Sequence, residues 1–159
     1  KQRLNIYLAA PQIKRKEFSN EVTKKERPDM SKRILVIDDE AMITLSLRKL
    51  LKKEDYVATI VSNGVEALEK IKAEEFDLLI LDIRMPLMDG IETVKNAREI
   101  RSQQAKPLIP EIMITGYADE DKYKNAVDLK VAGFLYKPFD TQELLTIIKK
   151  TFETSSPSF

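Results

Sequence analysis

Ile34-Leu35-Val36-Ile37 runs straight into Asp38-Asp39-Glu40. Four unbroken apolar residues meeting three carboxylates is the stretch on which the fold turns. A strand with one wet face alternates apolar and polar residues, whereas a strand buried on both faces reads as a continuous apolar run. A short run of this kind, ending abruptly in charge, predicts a buried parallel strand whose carboxyl end opens to solvent.

The same pattern recurs along the chain. Ala58-Thr59-Ile60-Val61, Leu78-Leu79-Ile80-Leu81, Ile112-Met113-Ile114 and Phe134-Leu135-Tyr136 are four further short apolar runs. Between them the period changes to that of a helix. Ile43, Leu47, Leu50 and Leu51 form one stripe, Val65, Leu68 and Ile71 a second, and Ile91, Val94 and Ala97 a third. Tyr123, Ala126 and Val127 mark a fourth, and Leu144, Leu145, Ile148 and Phe152 a fifth. Asn63 with Glu66, and Asp140 with Glu143, have capping-box spacing at two helix starts. Five strands alternating with five helices predict an α/β fold: a five-stranded parallel sheet, doubly wound in the flavodoxin-like manner, with right-handed crossovers placing helices on both faces.

In such sheets ligands bind beyond the carboxyl ends of the strands. The residues that follow each apolar run are therefore the informative ones. Asp38-Asp39-Glu40 follow the first, Asp82 the third, Thr115-Gly116 the fourth and Lys137-Pro138 the fifth. Each group alone reads as an ordinary turn or cap. Together they bring carboxylates, a hydroxyl and an ammonium to one edge. Carboxylates about 4–5 Å apart repel by roughly 3–4 kcal/mol per pair at an effective dielectric near 20. They must take up protons or recruit a cation, and hard oxygen ligands on an open rim suit Mg²⁺. A metal, an ammonium and a hydroxyl around one carboxylate make a phosphoryl-transfer site with Asp82 as nucleophile.

Composition narrows the chemistry further. The 159 residues include no Cys and no His, which removes thiolate and imidazole nucleophiles, His-ligated zinc and disulfide scaffolds. Charge is nearly balanced, 27 basic against 26 acidic side chains, so no overall attraction to nucleic acid or membrane is implied. Residues 1–30 carry eight basic and four acidic groups without a sustained apolar period, and read as a basic N-terminal extension or linker. Within it Leu4, Ile6 and Leu8 alternate like a short strand, and Met30-Ser31-Lys32-Arg33 would make a natural start. No apolar run approaches the roughly 18 residues of a membrane span, and the expectation is a soluble, cytoplasmic protein.

Asp38-Asp39, Asp82 with Met85-Pro86 and Asp89-Gly90, Thr115-Gly116 and Lys137-Pro138-Phe139 together resemble the receiver domain of two-component response regulators. The resemblance places a receiver over residues 31–153, leaving 154–159 as a C-terminal tail. It implies that Asp82 is the phosphoacceptor, taking a phosphoryl group from the phosphohistidine of a sensor histidine kinase or His-phosphotransfer protein. It implies Mg²⁺ held by Asp38, Asp39, Asp82 and the Arg84 backbone carbonyl. Lys137, before a cis peptide to Pro138, and Thr115 would each reach a phosphoryl oxygen. Thr115 and Phe134 would form the switch, changing the surface of the fourth helix, fifth strand and fifth helix, through which a homodimer would form. Lys130-Val131-Ala132-Gly133 lacks the acidic pair found there in many receivers joined to winged-helix DNA-binding domains, which argues against their dimer mode. No direct nucleic-acid binding by this chain is implied.

Arg84 and Tyr117 stand two positions after Asp82 and Thr115, where an attacking water would approach, and are expected to modulate hydrolysis. Gly90 is expected in a turn with positive φ. The link from Arg101 to Pro110 looks a few residues long for the family. A Mg²⁺-dependent aspartyl-phosphate phosphohydrolase is the alternative enzyme reading, though such enzymes commonly place an acid where this chain has Arg84. A flavodoxin-like ligand binder fits less well, because carboxylates stand where a phosphate would want amides. The signalling reading expects a receiver standing alone or belonging to a larger regulator or hybrid kinase.

Overall fold

A computed structural model of the chain describes residues 31–116 and 120–155, with backbone alone at 120–122. The expected extension 1–30, Tyr117 and residues 156–159 lie outside the described residues. Five strands alternate with five helices: β1 (Arg33–Ile37), α1 (Ala41–Lys53), β2 (Val57–Val61), α2 (Gly64–Ala73), β3 (Leu78–Asp82), α3 (Gly90–Gln103), β4 (Glu111–Thr115), α4 (Glu120–Asp128), β5 (Gly133–Tyr136) and α5 (Thr141–Ser155). The last helix runs two residues past the boundary read at 153. The strands form one sheet in the order β2-β1-β3-β4-β5, and every pairing is parallel.

Strand alternation sorts the core into two layers. Leu35, Ile37, Leu79, Leu81 and Met113 face one side and pack with Ala67, Ile71, Ile91, Val94, Ala97 and Ala126 of α2, α3 and α4. Ile34, Val36, Leu78, Ile80, Ile112 and Ile114 face the other and pack with Leu47, Leu51, Leu144, Leu145 and Ile148 of α1 and α5. Burial on both faces is why β1, β3 and β4 read as continuous apolar runs. The same reading overstated β2 and β5. These are the edge strands, Val57 and Tyr136 are exposed, and most of β2 is only half-buried.

Helix starts are fixed by side chains that satisfy first-turn amides. Asn63 accepts from the Glu66 amide at 2.9 Å, while the Glu66 carboxylate accepts from the Ser62 amide at 3.2 Å. Asp140 accepts from the Gln142 amide at 2.6 Å, one position earlier than the spacing with Glu143 predicted. Asp89, read above only as part of a turn, caps α3 by accepting from the Glu92 amide at 2.9 Å.

The connection between α3 and β4 is held down by charge. Buried Arg101 donates from Nε to the Pro107 carbonyl at 2.9 Å and from Nη1 to Glu75 at 2.7 Å, and Lys106 pairs with the same Glu75. The extra length is thus pinned at the end of the sheet opposite the candidate site.

Gly90 corrects an expectation. Among the described residues no glycine has positive φ. Gly90 is needed for space: a Cβ there would lie 2.3 Å from the Asp82 carbonyl oxygen and 2.9 Å from the Ile83 Cα. The Gly90 amide in turn donates to the Ile83 carbonyl at 2.8 Å, so the first turn of α3 lies directly against the end of β3. Backbone cannot move aside as a flexible side chain can. Gly90→Ala should therefore cost about 2 kcal/mol or more in urea denaturation; a loss within about 0.5 kcal/mol of zero would contradict this packing.

Candidate functional site

The parallel sheet carries Asp38, Asp82, Thr115 and Lys137 to the same edge, because each follows or ends a strand. Lys137 follows the last strand and Asp38 the first, but the order places β3 between β1 and β4, so Asp82 is central. The side chains converge on one point. Lys137 Nζ donates to Asp38 Oδ2 at 2.9 Å, to Asp82 Oδ2 at 3.0 Å and to Glu40 Oε1 at 2.7 Å. The free oxygens of the two aspartates are also used. Asp38 Oδ1 accepts from the Glu40 amide at 2.8 Å and Asp82 Oδ1 from the Arg84 amide at 3.1 Å. The Lys137–Pro138 peptide is cis.

Burial and charge pull against each other here. Asp38 and Asp82 are only 4% and 5% exposed. Burial pushes the Asp38 carboxyl above its ordinary value, the Glu40 amide and Lys137 pull it back, and neighbouring Asp82 adds to the rise. For Lys137 burial disfavours the ammonium, yet its bonds to Glu40, Asp38 and Asp82 outweigh that and hold it above the ordinary lysine range. One cation thus stands among three anions.

Thr115 is buried at the end of β4, its hydroxyl donating to the Gly116 carbonyl at 3.0 Å. Its carbonyl accepts from the Lys137 amide at 2.7 Å, which ties the two strand ends together. Phe134 packs on the α2–α3–α4 side of the core. Tyr123 lies over it with ring centroids 5.7 Å apart, and Tyr136 follows at 5.9 Å from Tyr123. Tyr123, part of the fourth apolar stripe, is 38% exposed.

Oxygens of Asp38, Glu40 and Asp82 lie within 4.8 Å of one another. Asp39, expected in the metal set, is exposed and lines a cleft of about 320 Å³ between α1 and α2 with Arg48 and Glu66. Glu40 joins Asp38 and Asp82 in their group although the sequence pattern assigns it no role. Its signal was its position: it precedes α1 as the N-cap, where Ser, Thr, Asp or Asn is the usual residue. Arg84 is exposed beside Asp82.

Residues 34–149 match the sequence family described as response regulator receiver domain. The chain belongs to that family. This receiver is 37% identical over 119 residues to chemotaxis protein CheY of Halobacterium salinarum, covering 75% of this chain and 95% of that protein. It is 37% identical over 111 residues to transcriptional regulatory protein ZraR of Klebsiella oxytoca, covering 70% of this chain. The chain spans about a quarter of ZraR, 24% of its length. Its fold matches a CheY-like receiver domain from Methanospirillum hungatei with TM-score 0.71 and 31% identity, over 78% of this chain and 95% of that one. The family is a phosphoacceptor module of two-component signalling, which favours that reading over the phosphohydrolase and the flavodoxin-like binder. Among the described residues no helix is long and apolar enough to cross a membrane.

Asp38 titrates above its ordinary value in the fold, so the stability linked to it is present in acid and is lost as pH rises through that value. Without Lys137 the value climbs further and the loss deepens. In metal-free protein Lys137→Met should cost about 3–5 kcal/mol near pH 7.5 by urea denaturation. Part of that deficit should return as the pH falls toward about 5. A pH-independent deficit would contradict the electrostatic origin.

Proposed function

We propose that Asp82 accepts a phosphoryl group from the phosphohistidine of a sensor histidine kinase or His-phosphotransfer protein. The observation that supports this best is the position of Asp82: buried, central in the sheet edge, and paired with Lys137 at 3.0 Å. In the step, an Asp82 carboxylate oxygen forms a bond to phosphorus as the P–N bond breaks. The electron pair leaves with the imidazole nitrogen, which takes a proton from solvent. The chain's own donors to the phosphoryl oxygens are the Lys137 ammonium and the Thr115 hydroxyl, the latter after turning from the Gly116 carbonyl. The acceptor carboxylate is held for reaction by the Arg84 amide on its other oxygen.

An all-oxygen donor set with three carboxylates in mutual reach fits a hard divalent cation. Asp38, Asp39, Asp82 and the Arg84 carbonyl would hold Mg²⁺, with Glu40 at the rim. The ion would neutralise charge on the transferred oxygens. The switch reading assigns Thr115 and Phe134 to the conformational response. A Thr115 hydroxyl drawn toward a phosphoryl oxygen leaves the space next to Phe134, whose motion is coupled to Tyr123 and Tyr136 by their ring contacts. The surface of α4, β5 and α5 would then carry the signal to a partner or a second copy in the cytoplasm, without nucleic-acid binding by this chain.

Incubation with a small acyl phosphate and Mg²⁺ should label the receiver stoichiometrically, read by intact-mass spectrometry, and Asp82→Asn should abolish the label. Labelling that survives Asp82→Asn would refute the assignment, and multiple turnover of a phosphorylated metabolite would favour the hydrolase. Arg84 and Tyr117 are proposed to slow hydrolysis by obstructing the water. Small residues at both positions should shorten the phosphorylated lifetime by about tenfold, an effect of about 1.4 kcal/mol on the barrier. An unchanged decay rate would sink the obstruction idea.

A further inference from the structure

Lys137 has three N–H bonds, and all three are committed. The acceptors are not equivalent. The side chains of Asp38 and Asp82 are 3% and 6% exposed, whereas that of Glu40 is 57% exposed and yet makes the shortest contact, 2.7 Å. Glu40 also occupies the N-cap position of α1 with extended backbone, φ −83° and ψ 105°, and its side chain makes no capping hydrogen bond. Nor does an acidic residue stand in the first turn of α1. The starts of α2 and α3 are capped by Asn63 and Asp89. At α1 the carboxylate that could serve the helix is spent on the lysine instead, and the first-turn amides receive no bond from the N-cap side chain.

A phosphoryl oxygen arriving at Asp82 needs a donor from Lys137. Releasing Asp38 would strand a buried carboxylate, which is costly. Releasing Glu40 returns an exposed carboxylate to water, where an ion pair is worth little. We propose that Glu40 is a positioning residue for phosphorylation. It holds the third N–H of Lys137 while Asp82 is unmodified and yields it to an incoming phosphoryl oxygen. Its negative charge also opposes an approaching anionic donor, so Glu40 sets a threshold for phosphorylation. This rests on the reading of Asp82 as phosphoacceptor.

The test uses the full chain, saturating Mg²⁺ and subsaturating acetyl phosphate. In that reaction the P–O bond to the acetyl carboxylate breaks with its electron pair on the leaving acetate, and a P–O bond to Asp82 forms, with no net proton or redox change. Glu40→Gln removes no helix cap and keeps the side-chain shape. It should raise the phosphorylation rate about threefold or more, as expected for loss of one exposed charge contact. Glu69→Gln, an exposed α2 acid paired with Lys72, makes the same change in net charge and should leave the rate unchanged. Independently of phosphorylation, hydrogen exchange of the Lys137 ammonium, followed by ¹⁵N NMR in metal-free protein, should be faster in Glu40→Gln than in the wild type. A labelled wild type with an unchanged or slower Glu40→Gln rate, an equal acceleration in Glu69→Gln, or unchanged ammonium exchange would each overturn the inference alone. Failure to label the wild type, or labelling that persists in Asp82→Asn, would overturn the phosphoacceptor reading and this inference with it.

Discussion

The ammonium of Lys137, donated simultaneously to Asp38, Glu40 and Asp82, is the contact on which the functional edge of this receiver depends. Three carboxylates whose oxygens lie within 4.8 Å repel strongly, and two of them are buried. Without a cation at their centre they would take up protons or spread apart. Lys137 compensates the charge of buried Asp82 at the centre of the edge. The sheet delivers the lysine: its amide is fixed to the Thr115 carbonyl at 2.7 Å, at the end of the neighbouring strand. The same backbone link joins the lysine to the residue expected to move on phosphorylation.

The rest of the domain makes that edge rigid. Gly90 lets the first turn of α3 lie against the carbonyl of Asp82, which packs the start of α3 onto the end of β3. At the other end of the sheet, Arg98 holds buried Glu111 through two nitrogens at 2.9 and 2.8 Å and also donates to the Leu129 carbonyl at 2.8 Å. That contact anchors the C-terminal end of α4 to α3 and β4. Near the site, by contrast, α4 meets the sheet through Tyr123 on Phe134 and Tyr136. One end of α4 is thus held by charge and hydrogen bonds, the other by tilted aromatic contacts.

Much of this was legible in the sequence because parallel strands advertise themselves. Runs such as Leu78 to Leu81 are continuous only if both faces are buried, and the residues after them then share an edge. The rule weakened at β2 and β5, where the pattern is the same but sheet order, which no local pattern encodes, leaves one side open. Asp38, Asp82, Thr115 and Lys137 are each legible from their place directly after an apolar run. Glu40 was not singled out because a third acid after an acid pair looks like solvated charge. Its engagement with Lys137 lies in the folded geometry, in the 2.7 Å contact that brings the α1 start to the end of β5. Gly90 was recognised as necessary for the wrong reason. A glycine after Asp suggests a left-handed turn, and the close approach that requires it involves Asp82, eight positions earlier in the chain.

The central claim is that Lys137 is bound more tightly by its three carboxylates than burial disfavours it. The direct measurement is the titration of its ammonium in metal-free protein, followed through the ¹³Cε shift of Lys137. A midpoint above the ordinary lysine range, up to the alkaline unfolding of the domain, is the predicted result. A midpoint at or below that range while the domain remains folded would contradict it.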